Sequence, residues 1–374
     1  MKIIDVETLI LRQASVDDTR ADGGQDTLVV RVHTDEGLCG VGEVDSSPEM
    51  AAAAIHAPKS NAVVQGLRGL LIGEDPLRRP ELWERMYRGS IYAGRRGVVM
   101  HAMSGIDIAL WDIAGQAENS PICDLLSSTP RDTIRVYASI LMDEQPEEVR
   151  NKISQLRNEG FTAIKLGWGP IGKSRATDIA LVTAAREAAG EDVDLMLDAG
   201  YGYGVSVDEA LYIAHALAEL RFRWFEEPFL PDEIDAYVEL TARSPLPIAA
   251  GEQCTTVWDF RELADKHAVN IVQPDLARCG GITEFMRIEE VTRAAGMWCI
   301  PHAWKTGILK AASLHVNAVI PGERLQEWCV EPNALTVDLV EPHLPVINGL
   351  ARVPRAPGLG IQLNDELVNQ LRVG

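Results

Sequence analysis

The chain has 374 residues, 46% of them apolar and 24% charged, which is the make-up of a soluble globular protein with room for a large core. Thirty-five Lys and Arg against 55 Asp and Glu leave a net charge of −20, and this excludes a surface built for nucleic acid or anionic membrane. No apolar run approaches the roughly 20 residues of a membrane span.

The opening "MKIIDVETLI" alternates like a strand and lacks the long apolar stretch of a signal peptide. The first 125 residues read as an α+β domain. A strand pair, "KIIDVETLILR" and "DTLVVRVHTDEG", is followed by helices such as "PLRRPELWERMYRG" and "GVVMHAMSGIDIALWDIAGQAE". Between the two strands "SVDDTRADGGQD" (15–26) is polar and glycine-bearing, by composition a solvated turn. Arg95 and Arg96, ahead of a helix, are expected to form salt bridges within this domain rather than to reach an anionic substrate. Six scattered cysteines, Cys39, Cys123, Cys254, Cys279, Cys299 and Cys329, form no C-x-x-C pair. Most sit in apolar runs and are expected to be reduced core residues, which suits the cytoplasm.

From about residue 133 short apolar runs alternate with helical stretches. The strands read are 133–140, 162–168, 194–200, 223–228, 247–253, 270–276, 296–302 and 324–329. Helices such as "PEEVRNKISQLRNEG" and "ITEFMRIEEVTRAAG" lie between them, and glycines such as Gly160, Gly190 and Gly296 mark their ends. Eight such units predict a closed (β/α)8 barrel over 126–350 rather than an open doubly wound sheet. The tail, 351–374, is loop-rich and is expected to return to the front domain.

The stretch "GWGPIGKS", Gly167–Ser174, fits the phosphate-loop pattern and lies between a strand and a helix. As a phosphate cradle it is poor, because Pro170 has no N–H to offer. A nucleotide site would also leave the acids and the histidine of the later strands unexplained. The loop is therefore read as pocket wall with Lys173 solvated on the first helical turn, and nucleotide binding stays a remote alternative.

In a barrel of this kind the site lies at the C-terminal strand ends. There the sequence offers Lys165, Asp198, Glu226 with Glu227, Glu252, Asp275, His302 and Glu327 in succession. Side chains alternate along a strand, so only one of Glu226 and Glu227 is expected to point inward. Asp198, Glu226 and Glu252 recur about once per βα unit and so meet at one rim. Three converging carboxylates repel one another unless a cation joins them, and an oxygen-only set suits Mg²⁺ over Zn²⁺. Taken singly, such acids are more often helix caps or rim ion pairs. Asp275 and His302 are one unit apart, so the carboxylate is placed to orient the imidazole and raise its basicity.

The segments "LMLDAG", "WFEEPF", "AAGEQ", "VQPDLARCGGIT" and "IPHAW", with "GVGEV" and "SGIDIALWDIAG" in front, resemble the enolase superfamily in its mandelate racemase group. The resemblance implies a modified (β/α)8 barrel with an α+β capping domain formed by the N-terminal segment and the C-terminal tail. It implies one essential Mg²⁺ on Asp198, Glu226 and Glu252, and Asp275 with His302 as the general acid/base dyad. Glu327 falls where the group places an acid that hydrogen-bonds the substrate carboxylate or enolate. The shared step is abstraction of the proton α to a carboxylate, giving a Mg²⁺-stabilised enediolate. Residues 15–26 fall where a mobile lid closes on substrate, and specificity is expected there. Trp168 and Trp304 either stack on substrate or pack the rim.

One departure bears on the reaction. Many members carry K-x-K on the second barrel strand, the second lysine being a base opposite the histidine. In "AIKLGWG" Lys165 fits the first lysine and Gly167 takes the second place, whereas a gap would make Lys165 the second. On the ungapped alignment one base is missing, which favours dehydration of an acid sugar to a 2-keto-3-deoxy acid, with Lys165 as a charge partner for the substrate carboxylate. A racemase, epimerase or cycloisomerase is the alternative. The expected partner is a small carboxylate, with no nucleic acid or membrane, and the chain is expected to form a homo-oligomer.

Overall fold

The computed structural model describes residues 1–322 and 325–373. Arg324, the expected first residue of the eighth barrel strand, and Gly374, the end of the tail, lie outside the described residues.

The chain opens with an antiparallel sheet of β1 (Ile3–Arg12), β2 (Asp26–Thr34) and β3 (Cys39–Val44). Four helices follow, α1 (Pro48–His56), α2 (Leu67–Leu71), α3 (Arg79–Ser90) and α4 (Val98–Ala117). Alternation in the strands puts Val6, Leu28, Val30, Val32 and Val44 on one side, against Met100, Met103, Ile106 and Leu110 of α4. The helix lies close on β3 because both surfaces lack side chains where they touch. A Cβ on Gly42 would fall 1.9 Å from the carbonyl oxygen of Gly105. The far side of α4 docks on the barrel, where Ser104 Oγ accepts from the Gly280 amide and Asp107 Oδ2 accepts from that of Thr283, each at 2.8 Å.

After α5 (Ile122–Leu126) come β4 (Thr133–Leu141), α6 (Pro146–Asn158), β5 (Ala163–Gly167), α7 (Arg175–Ala189), β6 (Asp194–Asp198) and α8 (Val207–Glu219). Next are β7 (Phe222–Glu226), α9 (Ile234–Arg243), β8 (Ile248–Ala250), α10 (Thr256–Lys266), β9 (Ile271–Val272) and α11 (Gly281–Ala294). The series ends with β10 (Trp298–Cys299), α12 (Gly307–Asn317), β11 (Leu325–Cys329) and α13 (Ala334–Asp338). The strands pair in parallel from β4 to β10, and β11 comes back to pair with β4. This is the expected barrel, with no ladder between β10 and β11 among the described residues. Ser174, Ser206 and Thr306 cap α7, α8 and α12 by accepting from backbone amides two or three residues on. Gly160, Gly190 and Gly296 take positive φ at helix ends, where residues with a Cβ are disfavoured.

Three strands stop three or four residues earlier than the sequence suggests, and the three before them one or two residues earlier. The expected ends at Gln253, Leu276 and His302 become Ala250, Val272 and Cys299. Gly251 turns the chain with φ +125°, and Pro274 and Pro301 have no N–H to continue a ladder. Glu252, Asp275 and His302 therefore stand on short loops just past the strands, and an isolated bridge still joins Asp275 to His302.

The barrel interior is filled by one residue per strand position: Tyr137, Ala163, Met196, Trp224, Ala249, Ile271, Ile300 and Leu325. A larger core lies between strands and helices. The tail carries β12 (Val340–Glu341), β13 (Val346–Ile347), β14 (Leu350–Arg352), β15 (Gln362–Leu363) and α14 (Asp365–Leu371). Strand β14 pairs with the start of β4, and the Val373 amide donates to Ile10 O of the front sheet at 2.9 Å. None of the six cysteines is in a disulfide.

Candidate active site

Side chains of a strand repeat every two residues on one face. Two residues beyond Tyr137, Ala163, Met196, Trp224, Ile300 and Leu325 stand Ser139, Lys165, Asp198, Glu226, His302 and Glu327. The apolar plug thus gives way, one layer up, to a ring of buried polar groups, which Glu252 and Asp275 complete.

On one side of the ring, carboxylate oxygens of Asp198, Glu226 and Glu252 lie within 4.8 Å of one another. Trp224, from the layer below, donates to Glu226 Oε2 at 2.8 Å. Burial and the neighbouring Glu226 push the Asp198 carboxyl well above the usual range. Like charges brought together out of water are relieved by taking up a proton or by a cation among them. The donor set, three oxygen ligands on adjacent strand ends, fits a hard divalent ion. Lys165 supplies positive charge beside it, with Nζ 2.5 Å from Glu226, 2.9 Å from Glu327 and 3.7 Å from Asp198. Burial opposes that charge, but Glu226 and then Glu327 hold the ammonium well above the ordinary lysine range.

On the other side, Asp275 Oδ2 accepts from His302 Nδ1 at 2.5 Å, and its Oδ1 accepts from the Ala277 amide at 2.6 Å. The imidazole is thereby fixed with Nε2 toward the cavity, 3.3 Å from Glu252 and 3.7 Å from Glu327. Burial lowers the affinity of His302 for a proton, but Glu252, Glu327 and Asp275 together push it up to about 10. A divalent ion on Glu252 would cancel the largest of these raising charges and bring His302 down. Glu327 takes bonds from Ser139 Oγ (2.7 Å) and the Ala303 amide (2.8 Å). Burial pushes its carboxyl up, but Lys165 and His302 hold it at about 2.

The ring opens into a cavity of about 230 Å³ whose walls include Ala21 and Gly23 from the front domain, Trp168 and Trp304. A wider, half-open outer chamber beyond Leu141 and Trp168 is lined in part by Thr19, Arg20 and Glu331. Both tryptophans thus face the cavity, and the segment left open by its composition covers it.

Register settles the level of each group on β5. Gly167 pairs with Asp198, and Asp198 with Glu226, so Lys165 lies one pleat deeper than the rim. A Cβ on Gly167 would fall 2.5 Å from the Cβ of Asp198 and 2.9 Å from its carbonyl oxygen. The place of a second lysine is closed to any side chain.

The phosphate-like loop is occupied by the chain itself. The Gly172 amide donates to the buried carboxylate of Asp178 at 3.1 Å, where a phosphate oxygen would have to sit. Lys173 is exposed, but it precedes the cap Ser174 rather than lying in the first helical turn, and it faces Glu144 at 3.5 Å. One further expectation is corrected, and Glu227 is placed. Arg96 pairs with Asp259 of α10 at 2.6 Å, so it ties the front domain to the barrel instead of bridging within its own domain. Glu227 follows the last residue of β7 at φ +41°, beyond the reach of strand alternation. It is as buried as Glu226, and its Oε1 faces the Gly251 amide at 3.5 Å.

Sequence reading passed over Arg278, although it stands inside "VQPDLARCGGIT". Its guanidinium joins Glu252 (3.1 Å) to Asp45 of the front domain (2.7 Å), and the quoted motif was the only signal for it.

Comparison with known proteins agrees with this architecture. Residues 14–127 match the mandelate racemase / muconate lactonizing enzyme N-terminal domain, and residues 148–367 match the enolase C-terminal domain-like family. The chain is 34% identical over 358 residues to a D-galactarolactone cycloisomerase of Agrobacterium fabrum, covering 92% of this chain and 91% of that protein. It is 35% identical over 355 residues to a D-galactonate dehydratase of Ralstonia pickettii, covering 91% and 90%. The crystal structure of a 3,6-anhydro-D-galactonate cycloisomerase from Zobellia galactanivorans superposes over 100% of both chains with a TM-score of 0.90 at 29% identity.

Proposed function

Because the chain belongs to the mandelate racemase / muconate lactonizing enzyme family of the enolase superfamily, we propose that it removes the proton α to the carboxylate of an acid sugar and expels the β-hydroxyl, giving a 2-keto-3-deoxy acid. The observation that carries this reading is the closed position at Gly167. A racemase needs bases on both faces of the α-carbon. Here one face has the Asp275–His302 pair, and the other has no room for a second lysine at the rim.

In this reading His302 takes the α-proton at Nε2 while Asp275 keeps Nδ1–H in place and stabilises the imidazolium. The same Nε2 then returns the proton to the departing β-oxygen. Lys165, held as ammonium, faces the substrate carboxylate rather than acting as base. Glu327 is ionised before substrate arrives. To hydrogen-bond the substrate carboxylate it must take up a proton, which a second anion brought beside it favours. We assign one Mg²⁺ to Asp198, Glu226 and Glu252, and when bound it supplies charge against the negative charge that grows on the substrate carboxylate. Residues 19–23, which line the cavity and its outer chamber, are the part of the lid that would exclude water.

Cycloisomerisation is the second reading. A relative named as a cycloisomerase matches this chain about as closely as the dehydratases do, at 34% identity against 35%. It uses the same proton abstraction, with a ring oxygen as the β-leaving group. The test is a panel of mono- and diacid sugars and their lactones, incubated with Mg²⁺ and assayed for 2-keto acids. Formation of a 2-keto-3-deoxy acid that stops with EDTA is expected. Inversion at C2 with no β-elimination would contradict the proposal.

A further inference from the structure

The loop between β10 and α12 carries His302, and three residues on it carries Lys305, which has no part in the proton chemistry above. Lys305 is only 2% exposed. A buried ammonium is costly unless its three donors are all met, so the partners it takes indicate its use. Nζ donates to the main-chain carbonyls of Gly23 (2.5 Å) and Asp26 (2.7 Å). Its remaining side faces Asp45 Oδ1 at 3.4 Å.

The two carbonyls bracket the single 3-10 turn, Gly23–Gln25, through which the segment 13–25 rejoins β2. Trp304 makes a second tie, with Nε1 3.2 Å from Asp22 Oδ1, the same oxygen that caps the turn by accepting from Gly24. Ala21 and Gly23 line the catalytic cavity beside Trp304 and His302. The outer end of the segment is held more loosely, through the half-exposed Arg20 and its ion pair with Glu331 at 3.2 Å. The inner end of the lid and the loop of the base are thus clamped together by one buried cation.

We propose that Lys305 is a positioning residue that fixes the lid turn Gly23–Asp26 to the loop of His302 and so sets substrate affinity. It acts through the lid and touches neither the dyad nor the three carboxylates. This inference rests on the reading that the cavity under the lid holds the substrate.

Lys305→Met keeps the length of the side chain and removes its donors. Asp45 retains Arg278 at 2.7 Å, so the variant is not left with an unpaired buried carboxylate. Arg20 is the only trypsin site within 13–25, and cleavage there under native conditions reads how often the lid opens. In Lys305→Met the cut after Arg20 should be about tenfold faster, with KM raised about tenfold and kcat and its pH profile nearly unchanged. Trp304→Phe, which loses the bond to Asp22 and also part of the cavity wall, should speed the cut after Arg20 by less, and that cleavage readout stands in if Lys305→Met does not fold. An unchanged cleavage rate overturns the clamp, and faster cleavage with an unchanged KM overturns its role in substrate binding. The trypsin readout needs no substrate, so the clamp is tested even if no acid sugar is turned over, an outcome that would count against the proposed reaction instead.

Discussion

His302 and His315 are both buried, one just before α12 and the other in its last turn, and their surroundings drive them in opposite directions. His302 stands among Glu252, Glu327 and Asp275, and the three carboxylates outweigh burial to hold its proton up to about 10. His315 has only backbone for partners. Its Nδ1 accepts from the Cys123 amide at 3.2 Å, and its Nε2 donates to Leu359 O at 3.1 Å. Burial pushes it down to about 4. Both nitrogens of the neutral ring are used, so His315 has no lone pair left for chemistry. His302 keeps Nε2 turned to a cavity. Residue type is the same in both places, and the neighbours decide whether the ring stitches the fold or moves a proton.

Substitution should separate the two roles. His302→Asn should lower kcat by about 10⁴, the upper end for loss of general acid/base action, because in the proposed reaction one residue serves as both acid and base. Circular dichroism and thermal melting should still show a folded barrel. His315→Ala should do the reverse. It strips a partner from the start of α5 and from the tail, and is expected to cost about 3 kcal/mol of stability with kcat unchanged, as read by urea unfolding.

The smallest effect is in pH. The folded state refuses a proton at His315 that the unfolded chain accepts below about pH 6.5. Stability is therefore lost as pH falls from about 6.5 to about 4, roughly 2 kcal/mol of it by pH 5. His315→Ala lacks this loss, so the stability gap between variant and wild type should narrow from pH 7 to pH 5. A gap that stays constant would mean that His315 is not held neutral.

The ring of polar groups was legible because it repeats. One βα unit separates each of Asp198, Glu226, Glu252, Asp275 and His302 from the next, and strand alternation puts Asp198 and Glu226 over the apolar residues Met196 and Trp224. The strand ends were overdrawn at Gly251, Pro274 and Pro301, where the polar residues continue after the ladder has stopped. Arg278, Asp45 and Lys305 gave no periodic signal, since their partners lie across the seam between front domain and barrel. The same seam explains Arg96, whose carboxylate is 163 residues away in sequence. That Gly167 takes the place of the second lysine was one of two alignments the sequence allowed. That Asp198 leaves no space there is a property of the packing alone.

The central claim is that His302 is the only base at the α-carbon. It is tested most directly by the exchange of the substrate α-proton with solvent deuterium, followed by NMR in wild type, His302→Asn and Lys165→Ala. Wild type should exchange, Lys165→Ala should exchange more slowly, and His302→Asn should not exchange at all. Exchange that persists in His302→Asn and vanishes in Lys165→Ala would make Lys165 the base and put a racemase or epimerase ahead of the dehydratase.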